Sequence, residues 1–582
     1  MEEVCTEILR ALNKSFSDVF DASDFEVEVT VAPEETRADY ASNVAMKLAG
    51  KLKALGIVKD EGGNYSPREI AEIIKKELND YSAFDVEVAG PGFLNFISRD
   101  EYFKQILADF LVDFDKNISL DDYKGQTVIC EFSDPNPFKV LHVGHLYTSV
   151  MGDSISRLVE FAGGKVVRAN FGGDVGLHVA KTIYAMQKQG ISASDIAAFD
   201  EDGNGIISSS EIAKRIEIIA KCYVEGTRAY EDDAAVKDQI TELNKMIYAI
   251  VAEDVHDTEL AKLYWTGREL SYKYFNDFYA KLGLKFDKYY PESTVAKRGL
   301  EVVKANVPEV YEESEGALVF VGERYGLHTR VFINAEGLPT YEAKDVGLLF
   351  TKWDDYHFDM SIVITGNDII DYMKVVLQSV SLYAPELVEK TVHITHGNVR
   401  LPGNEKMSSR KGNFIKAVDV LKAVSDLVPD QKIAMAAIKY AFLKYKIGGN
   451  IEFDAEKSVS TTGNSGVYLL YSAVRAKKIL VSNYQLPEST VRGNWELKEP
   501  EKRLIRKIAE YKTVLNDAVS DFAPHKIANY LYEIAQEFSR FYEKIKVNGS
   551  EFETERRGIV KAYLNVMEHG LLILGIEVPE EM

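Results

Sequence analysis

Two of the ten histidines in the chain stand three residues apart, on either side of a glycine, in the stretch "DPNPFKVLHVGHL" (134–146). Imidazoles can donate hydrogen bonds to phosphoryl oxygens as charge develops on them in a transition state. Gly144, between His142 and His145, has no side chain, so a flat ring or a phosphate can approach its backbone. A metal-binding pair or a chance pairing would use the same residues, although no third zinc ligand stands at a familiar spacing.

A second stretch, "NEKMSSRKGNF" (404–414), concentrates Lys406, Arg410 and Lys411 among serines and a glycine. A flexible basic loop of this kind can wrap a triphosphate and hold a departing pyrophosphate. Taken alone, it is more typical of a solvated basic turn. Together with the histidine pair about 260 residues earlier, at the head of a Rossmann-like sheet, it forms a joint pattern that is hard to attribute to chance.

The elements around the histidines predict where such a site would lie. A short apolar run precedes them, and an amphipathic pattern and a second apolar run follow, which indicates a strand, a helix and a parallel strand. The histidines then stand at the helix N-terminus, where free backbone N–H groups and the helix dipole favour phosphate. This is also the carboxyl edge of the sheet, where open α/β folds bind ligands. The runs are "QTVICEF", "LYTSVMGDSISRLVEFAGG" and "KVVRANF", with further strand-like runs "RVFIN", "MSIVITG" and "TVHITHG" and an almost entirely helical pattern from about 460 onward.

Composition limits the class of protein. A chain of 582 residues is too long for one core, so three or four domains are expected. The net charge of −22 argues against a nucleic-acid-coating protein, but it is uneven. Residues 431–582 hold 22 Lys and Arg against 20 Asp and Glu, so they carry +2 and the first 430 residues carry −24. The C-terminal third is therefore the less repulsive surface for a polyanion.

Three cysteines, Cys5, Cys130 and Cys222, are far apart and form no CxxC pair, which argues against disulfides and structural zinc and for a reducing cytosol. The acidic, amphipathic start is unlike a signal peptide, and no apolar run approaches the roughly 20 residues of a membrane span.

The N-terminal region shows a mixed α and β pattern. "YASNVAMKLAGKLKALG" has apolar residues at helical spacing (Val44, Leu48, Leu52 and Leu55), and "FDVEVAGPGFLNFIS" predicts strand, turn and strand. The charged stretch "DFDKNISLDDYKG" is interpreted as a linker.

The histidine stretch, "HVGH", resembles the HIGH signature of class I aminoacyl-tRNA synthetases, and the basic stretch, "KMSSR", resembles their KMSKS signature. Several other segments, in order along nearly the whole chain, resemble the arginyl-tRNA synthetase family. They are "DYASNVAMKLA", "VAGPGFLNF", "EFSDPNP", "ANFGGDVG", "PTYEAKDVG", "GNSGVYLLYSAVRAKKIL", "APHKIANYLYEIAQEFSRFY" and "GLLILGIEVPEEM".

This resemblance implies an α/β protein with three parts: an α+β tRNA-recognition domain (1–118), a Rossmann-like catalytic domain with insertions (119–430), and a helical stem and anticodon-binding domain (431–582). It implies ATP-dependent activation of L-arginine to arginyl-adenylate and transfer to the 3′ end of tRNA-Arg, with Mg²⁺ and with tRNA needed even for the first step. It further implies a cytoplasmic monomer with neither DNA nor a membrane as partner. The alternatives are another class I synthetase, or a tRNA-binding relative without catalysis.

The resemblance also assigns residues. The catalytic set is Lys139, His142, His145, Lys406, Ser408 and Arg410. The ATP-binding set is Gly144, Gly397, Asn398, Met407 and Lys411, with His396 as a further candidate beside the adenine. The arginine-binding set is Glu131, Ser133, Asn136, Tyr341, Asp345 and Asn367. The tRNA-binding set is Phe93 and Asn95, which the family places against a D-loop base, although Phe93 could equally be a core residue.

Chemistry supports one of these assignments independently. A planar guanidinium is satisfied bidentately by a carboxylate, and Asp345 lies four residues after Tyr341, so on a helix both share one face. Each residue could instead have a purely structural role: Asp345 as a salt-bridge partner or a helix cap, and Glu131 as a member of a buried ion pair.

Three positions depart from the family pattern. Ser409 replaces the second lysine of KMSKS, and Lys139 stands where a lysine before HIGH can replace the missing charge. Val175 replaces the tryptophan of GDWG, and "THGNVRL" replaces the usual apolar segment facing adenine.

One stretch lies outside the resemblance: "FDEDGNGIISSSEI" (199–212), which we interpret as an insertion. Its spacing matches a calcium-binding EF-hand loop, with Gly205 at the sharp turn and a helix predicted on each side, the entering one short ("SASDIAAFD"). The predicted ligands of a structural Ca²⁺ are Asp200, Asp202, Asn204, Ile206, Ser208 and Glu211. A solvated acidic insertion that binds nothing is the alternative, because EF-hands usually occur in pairs.

Overall fold

The computed structural model describes residues 2–21, 25–32, 36, 38–59, 62–78, 83–199, 207–400, 402, 415–480 and 495–582. They form two compact units. The first comprises Met1–Asn117, Ile479–Glu510 and Glu537–Tyr563, and the second comprises Ile118–Lys478, Tyr511–Gln536 and Leu564–Met582.

The helices of the described residues are α1 (Glu2–Phe16), α2 (Val44–Ala54), α3 (Pro67–Leu78), α4 (Asp100–Val112), α5 (Phe114–Ile118), α6 (Val143–Phe161), α7 (Leu177–Lys188), α8 (Ser209–Asp232), α9 (Ala234–Ala252), α10 (Glu259–Lys281), α11 (Glu292–Ala305), α12 (Tyr341–Tyr356), α13 (Ile370–Ser381), α14 (Pro385–Glu389), α15 (Ala417–Leu427), α16 (Gln431–Leu443), α17 (Ala455–Ser458), α18 (Gly466–Leu480), α19 (Glu499–Ala509), α20 (Tyr511–Ser520), α21 (Pro524–Lys544) and α22 (Glu553–Ile573). Short 3₁₀ helices span Ser194–Ile196, Gly322–Tyr325 and Asn367–Ile369.

The strands are β1 (Val29–Val31), β2 (Tyr40–Ser42), β3 (Phe84–Ala89), β4 (Phe93–Ser98), β5 (Thr127–Glu131), β6 (Lys165–Gly172), β7 (Lys288–Pro291), β8 (Glu312–Ser314), β9 (Ala317–Phe320), β10 (Arg330–Ile333), β11 (Met360–Gly366), β12 (Thr391–His396), β13 (Val399–Arg400) and β14 (Ile451–Glu452).

The first unit contains an antiparallel sheet of order β1-β2-β4-β3. The predicted β3–β4 hairpin is confirmed, and its turn uses two glycines with positive φ. A Cβ on Gly92 would lie 2.7 Å from the backbone of Pro67, so that position admits only glycine. The predicted helix is α2, whose apolar stripe is buried except for Leu55, which is 59% exposed because it lies one residue beyond the helix end.

The interpretation of 113–125 as a plain linker is wrong in part, because α5 forms within it and buries Ile118. A single apolar side chain that reaches the core can anchor one helical turn even in a charged stretch.

The second unit is built around a five-stranded parallel sheet of order β12-β11-β5-β6-β7. The predicted strand–helix–strand unit is β5–α6–β6, and the strands predicted from "MSIVITG" and "TVHITHG" are β11 and β12. The chain winds to one side of β5 through β6 and to the other side through β11. The strand order thus reverses next to β5, and the α6 N-terminus opens at this switch point.

The "RVFIN" run does form a strand, β10, but it joins β9 and β8 in a separate antiparallel sheet. From Gly466 onward the described segments contain only helices, as predicted. Among the residues that the structure describes, no helix is long and apolar enough to cross a membrane.

Candidate active site

The histidine pair closes the first turn of α6. His142 is the residue before the helix, and its Nδ1 accepts a hydrogen bond from the Gly144 N–H at 3.1 Å. The backbone N–H of His142 in turn donates to Nδ1 of His145 at 3.2 Å. The two rings stack with centroids 3.8 Å apart. Two histidines therefore do the work of a capping box, in which side chains satisfy the free N–H groups of a helix start.

This geometry determines the tautomer of each ring. Because both Nδ1 atoms accept hydrogen bonds, each neutral imidazole carries its proton on Nε2. Burial, followed by the charge of Lys139, lowers the pKa of His142 to about 4. Burial and the neighbouring His142 and Lys139 hold the pKa of His145 well below its usual value. Both rings are therefore neutral Nε2–H donors at physiological pH.

Gly144 also has a packing role that the sequence did not predict. A Cβ at this position would lie 2.8 Å from Cε1 and 2.9 Å from Nδ1 of His142. The imidazole thus fills the space that a side chain would need. The glycine is required for the capping geometry of the histidines, and this packing would constrain the residue whether or not a ligand approaches its backbone.

A cavity of about 490 Å³ opens beside the pair. Its lining includes both histidines, Asn136 and Lys139 from the segment after β5, and Lys416 at the start of α15. Residues of α8 form the rest of its wall: Glu217, Ala220, Lys221, Tyr223, Val224, Glu225 and Arg228. The ammonium of Lys139 lies 4.9 Å from the ring centroid of Tyr223, which is a cation–π contact. Sequence reasoning did not identify α8 as part of this wall.

The described residues that directly follow the basic stretch lie beside the histidine segment. The Val143 N–H donates to the Ile415 carbonyl, and the Ala417 N–H donates to the Leu141 carbonyl, each at 2.9 Å. This antiparallel bridge joins the histidine segment to the residues that follow 403–414. Five members of the predicted set lie outside the described residues: Lys406, Met407, Ser408, Arg410 and Lys411.

Three predicted arginine-binding residues line the end of β5. Glu131 is buried and pairs with the equally buried Lys352, Oε2 to Nζ 2.6 Å. Ser133 is buried, has a left-handed φ of 76°, and bonds the Tyr279 hydroxyl at 2.9 Å. Asn136 accepts a hydrogen bond from the Gly173 N–H through Oδ1 at 2.8 Å. The ion-pair alternative for Glu131 is thus present in the structure, and it fixes the carboxylate in position.

Asp345 lies on α12, where the Tyr372 hydroxyl donates to its Oδ2. Burial raises the pKa of this carboxyl to about 8; the Tyr372 hydrogen bond lowers it, and the nearby carboxylates of Glu131 and Glu292 raise it further. A carboxyl in such surroundings gains strongly from a cation. Tyr341, at the first position of the same helix, is 54% exposed.

Sequence reasoning missed several residues around this carboxyl. Asp134 accepts a hydrogen bond from the Phe171 N–H at 2.7 Å, and burial, followed by the charge of Glu131, holds the pKa of Asp134 well above its usual value. On α12, the buried Lys344 pairs with Glu292 at 2.6 Å. Asp134 stands in the quoted "EFSDPNP", and a count of acidic residues near the strand end could have identified it.

The candidates for the ATP base lie at the end of β12, and Asn367, a candidate for arginine binding, lies at the end of β11. His396 is buried, and its Nε2 is 2.6 Å from the Thr148 hydroxyl on α6. A Cβ on Gly397 would meet the Gly449 carbonyl at 2.1 Å. Asn398 is exposed, and its N–H donates to the Asn450 side chain. Asn367 is also exposed and donates to the Gly448 carbonyl at 3.0 Å. The sheet brings all four to the edge where α6 begins.

The remaining predicted residues lie elsewhere. Phe93, on β4 of the first unit, is 39% exposed, which excludes the core alternative, and Asn95 is half-buried on the same strand.

Of the predicted calcium ligands, Asp200, Asp202, Asn204 and Ile206 lie outside the described residues. Ser208 caps α8 by accepting from the Glu211 N–H at 3.3 Å. The Glu211 carboxylate pairs with Lys214 and Arg215. The predicted exiting helix is α8, but the entering helix is only the 3₁₀ turn Ser194–Ile196, in which Asp195 holds the Ser192 N–H.

Comparison of the chain with models of known protein families identifies its class. The family model described as "tRNA synthetases class I (R), catalytic domain" matches residues 106–434, more than half of the chain. The parallel sheet, the histidine cap and the cation-lined cavity are thus those of a class I aminoacyl-tRNA synthetase.

Two further models match the flanking regions. The "Arginyl tRNA synthetase N terminal domain" matches residues 3–97, and the "DALR anticodon binding domain" matches residues 469–582. The chain belongs to the arginyl-tRNA synthetase family.

Individual relatives agree with this placement. The arginine–tRNA ligase of Bacteroides fragilis is 26% identical over 580 residues, covering 94% of this chain and 95% of the relative. That of Borrelia hermsii is 28% identical over 545 residues, covering 88% and 89%. Among solved structures, the arginyl-tRNA synthetase of Thermus thermophilus has a TM-score of 0.72 at 22% identity, with both chains fully covered. That of Plasmodium falciparum has a TM-score of 0.73 at 20% identity, covering 100% of this chain and 99% of the other. These structures show that the fold is shared.

Proposed function

We propose that this chain activates L-arginine with ATP and transfers the arginyl group to the 3′ end of tRNA-Arg. The observation that carries the proposal is a juxtaposition at one sheet edge. Two neutral histidine donors stand at the start of α6, which follows β5, and a buried acidic cluster around Asp345 lies near Glu131 at the end of the same strand. The first suits the phosphates of a nucleotide, and the second suits a doubly cationic amino acid.

The amino acid is recognised by charge. In our proposal the guanidinium binds the Asp345 carboxylate, with Tyr341 and Asn367 beside it. Glu131, Ser133 and Asn136 hold the ammonium, the carboxylate or the side chain of the same arginine. A shorter or neutral analogue would leave a buried carboxyl without its cation, which is a strong source of selectivity.

The first chemical step needs no side-chain nucleophile. An oxygen of the arginine carboxylate attacks the α-phosphorus in line, a C–O–P linkage forms, and the bond to the pyrophosphate breaks. The Nε2–H groups of His142 and His145 donate to phosphoryl oxygens as their charge grows. Lys139 neutralises the departing pyrophosphate, together with Lys406 and Arg410 from the basic loop. Ser408, Met407 and Lys411 of that loop, with Gly144, Gly397 and Asn398, complete the ATP contacts.

Mg²⁺ would enter with the nucleotide. Among the described residues, no group of three or more His, Cys, Asp or Glu side chains could hold a metal ion. Mg²⁺ is commonly bound by substrate phosphates and water, and it would supply charge neutralisation on the phosphates of ATP.

In our proposal the first unit binds a part of the tRNA other than the reacting 3′ end. We assign Phe93 and Asn95 to an unpaired base, because an exposed aromatic next to an amide can stack on and read a base. The domain boundaries 1–118, 119–430 and 431–582, a monomeric state and a cytoplasmic location are part of the same proposal.

The calcium site stays a prediction. Its two described ligands already have protein partners, since Ser208 caps α8 and Glu211 pairs with Lys214 and Arg215. Ca²⁺ would have to replace both ion pairs of Glu211, which are exposed enough to be weak.

One experiment tests the function as a whole. Purified protein is incubated with ATP, total tRNA and each of the twenty amino acids in labelled form, and the charged tRNA is counted. Charging with arginine alone is the expected result. Charging with another amino acid would indicate a different class I synthetase, and tRNA binding without charging would indicate a non-catalytic relative.

A further inference from the structure

Lys416 stands outside every predicted set, yet the structure brings it to the histidine pair. It lies directly opposite His142 in the antiparallel bridge between the two segments. Residues directly opposite in such a pair project their side chains to the same face. Both residues line the same cavity of about 490 Å³. The ammonium of Lys416 therefore enters the space into which the signature histidines face.

The partner of this ammonium is a carboxylate of α8. Nζ of Lys416 lies 2.6 Å from Oε1 of Glu217, and the two side chains are 31% and 43% exposed. An ion pair this exposed contributes little to stability. An ammonium also has three N–H donors, so one carboxylate oxygen satisfies only part of its capacity. The pair can be exchanged for a more highly charged anion at small cost.

The helix that carries Glu217, α8, packs closely against α7. A Cβ on Gly226, farther along α8, would lie 1.9 Å from the Lys181 carbonyl on α7, so the two backbones approach closely. The helix that holds Lys416 through Glu217 also faces Lys139 through Tyr223. Two lysines on either side of the histidines are thus both in contact with α8.

We propose that Lys416 is a further phosphate-binding residue of this site, and that Glu217 holds its ammonium until a phosphate oxygen takes the place of the carboxylate. Phosphate carries more charge than a carboxylate and accepts strong charge-assisted bonds from an ammonium. The phosphate belongs to the polyphosphate of ATP or to the 3′ end of the tRNA. The inference rests on the proposed function, because that function brings both ligands to the cavity.

The first test is direct and needs no catalysis. Binding of inorganic pyrophosphate is measured by calorimetry for the wild type and for Lys416→Met, Lys416→Arg and Glu217→Gln. We expect Lys416→Met to weaken binding about tenfold, which is about 1.4 kcal/mol, and Lys416→Arg to retain most of it. Glu217→Gln should tighten binding about twofold, because the competing carboxylate is gone. Lys422→Met removes an exposed lysine of α15, paired with Asp426, and serves as the control with no expected change.

A role in phosphate binding predicts effects of opposite sign on pyrophosphate affinity: Lys416→Met should lower it and Glu217→Gln should raise it. If the pair only braced α8 against α15, Lys416→Met and Glu217→Gln would have the same effect on binding and on the melting temperature, and the proposal would be wrong.

Michaelis constants for arginylation then identify the source of the phosphate. If only the Michaelis constant for ATP rises, the phosphate belongs to the polyphosphate of ATP. If only the Michaelis constant for tRNA rises, it belongs to the 3′ end of the tRNA. The proposal would be refuted if pyrophosphate binding and the Michaelis constants for ATP and tRNA all stayed unchanged. Failure of the wild type to charge arginine, with the pyrophosphate results as expected, would refute only the proposed function.

Discussion

Asp345 carries the strongest electrostatic prediction. Its pKa of about 8 in the protein without ligand means that the carboxyl is mostly protonated at neutral pH. Bound guanidinium would require it ionised, so arginine binding must be coupled to loss of a proton. At pH 7 about one tenth of the molecules hold the carboxylate, and at pH 9 about nine tenths do. The affinity for arginine should therefore rise about tenfold between pH 7 and 9, equivalent to about 1.4 kcal/mol.

Without arginine, the stability of the protein should fall over the same pH range in which the affinity for arginine rises. A carboxyl whose pKa is raised by folding stabilises the native state while it is protonated, and this contribution is lost progressively as the pH rises from the ordinary pKa near 4 to just above 8. The melting temperature without arginine should fall between pH 7 and 9, whereas the increase in melting temperature caused by saturating arginine should grow over the same interval.

Calorimetry in two buffers with different ionisation enthalpies measures the proton directly. At pH 7 we expect nearly one proton released per arginine bound. Asp345→Asn should abolish the pH dependence and most of the affinity, while Asp371→Asn, at an exposed position on α13, should change neither. Citrulline, whose ureido group is neutral, should gain nothing from the higher pH. An affinity for arginine that is flat from pH 7 to 9 would refute the assignment of Asp345.

Three further predictions concern other parts of the chain. Lys139→Ala should slow activation more than Ser409→Ala, measured by pyrophosphate exchange, because Lys139 lines the cavity; equal rates would assign the missing charge to another residue. Phe93→Ala and Asn95→Ala should each raise the Michaelis constant for tRNA severalfold, roughly the loss of one stacked base, with arginine and ATP unaffected; an unchanged constant would exclude this strand from tRNA binding. Chelator-stripped protein should give heat on titration with Ca²⁺, and Glu211→Gln should not; absence of heat at millimolar Ca²⁺ would end the calcium hypothesis.

Local patterns predicted the frame of the site. The βαβ unit around α6 was predictable because apolar periodicity and a paired glycine mark the strands and the helix end. Leu55 and the stretch 113–125 show the limit of such patterns. In both, the end of a helix depends on whether one apolar side chain reaches a core, which the local sequence does not specify.

The surroundings of the site were less predictable because they come from distant segments. Tyr372, which bonds Asp345, lies on α13, and part of the cavity wall comes from α8, which begins inside the stretch interpreted as an insertion. No periodicity tells which face of an inserted helix will meet a strand end. The histidine cap was also missed, since His is not among the usual capping residues and its role depends on a stacked pair of rings.

The signature histidine His142 and the carboxyl of Asp345 titrate in different pH ranges. Histidine usually titrates near neutral pH, so loss of activity in mild acid would ordinarily be assigned to the signature pair. Here Lys139 and burial keep His142 neutral down to about pH 4, so it remains a donor throughout. The carboxyl of Asp345 titrates near 8 instead. Because kcat/KM reports the pKa values of the free enzyme, its acidic limb for arginine should lie near 8 and disappear in Asp345→Asn. A limb near 6.5 that persists in that variant would show that a histidine is titrating, and the neutral donor mechanism would then be wrong.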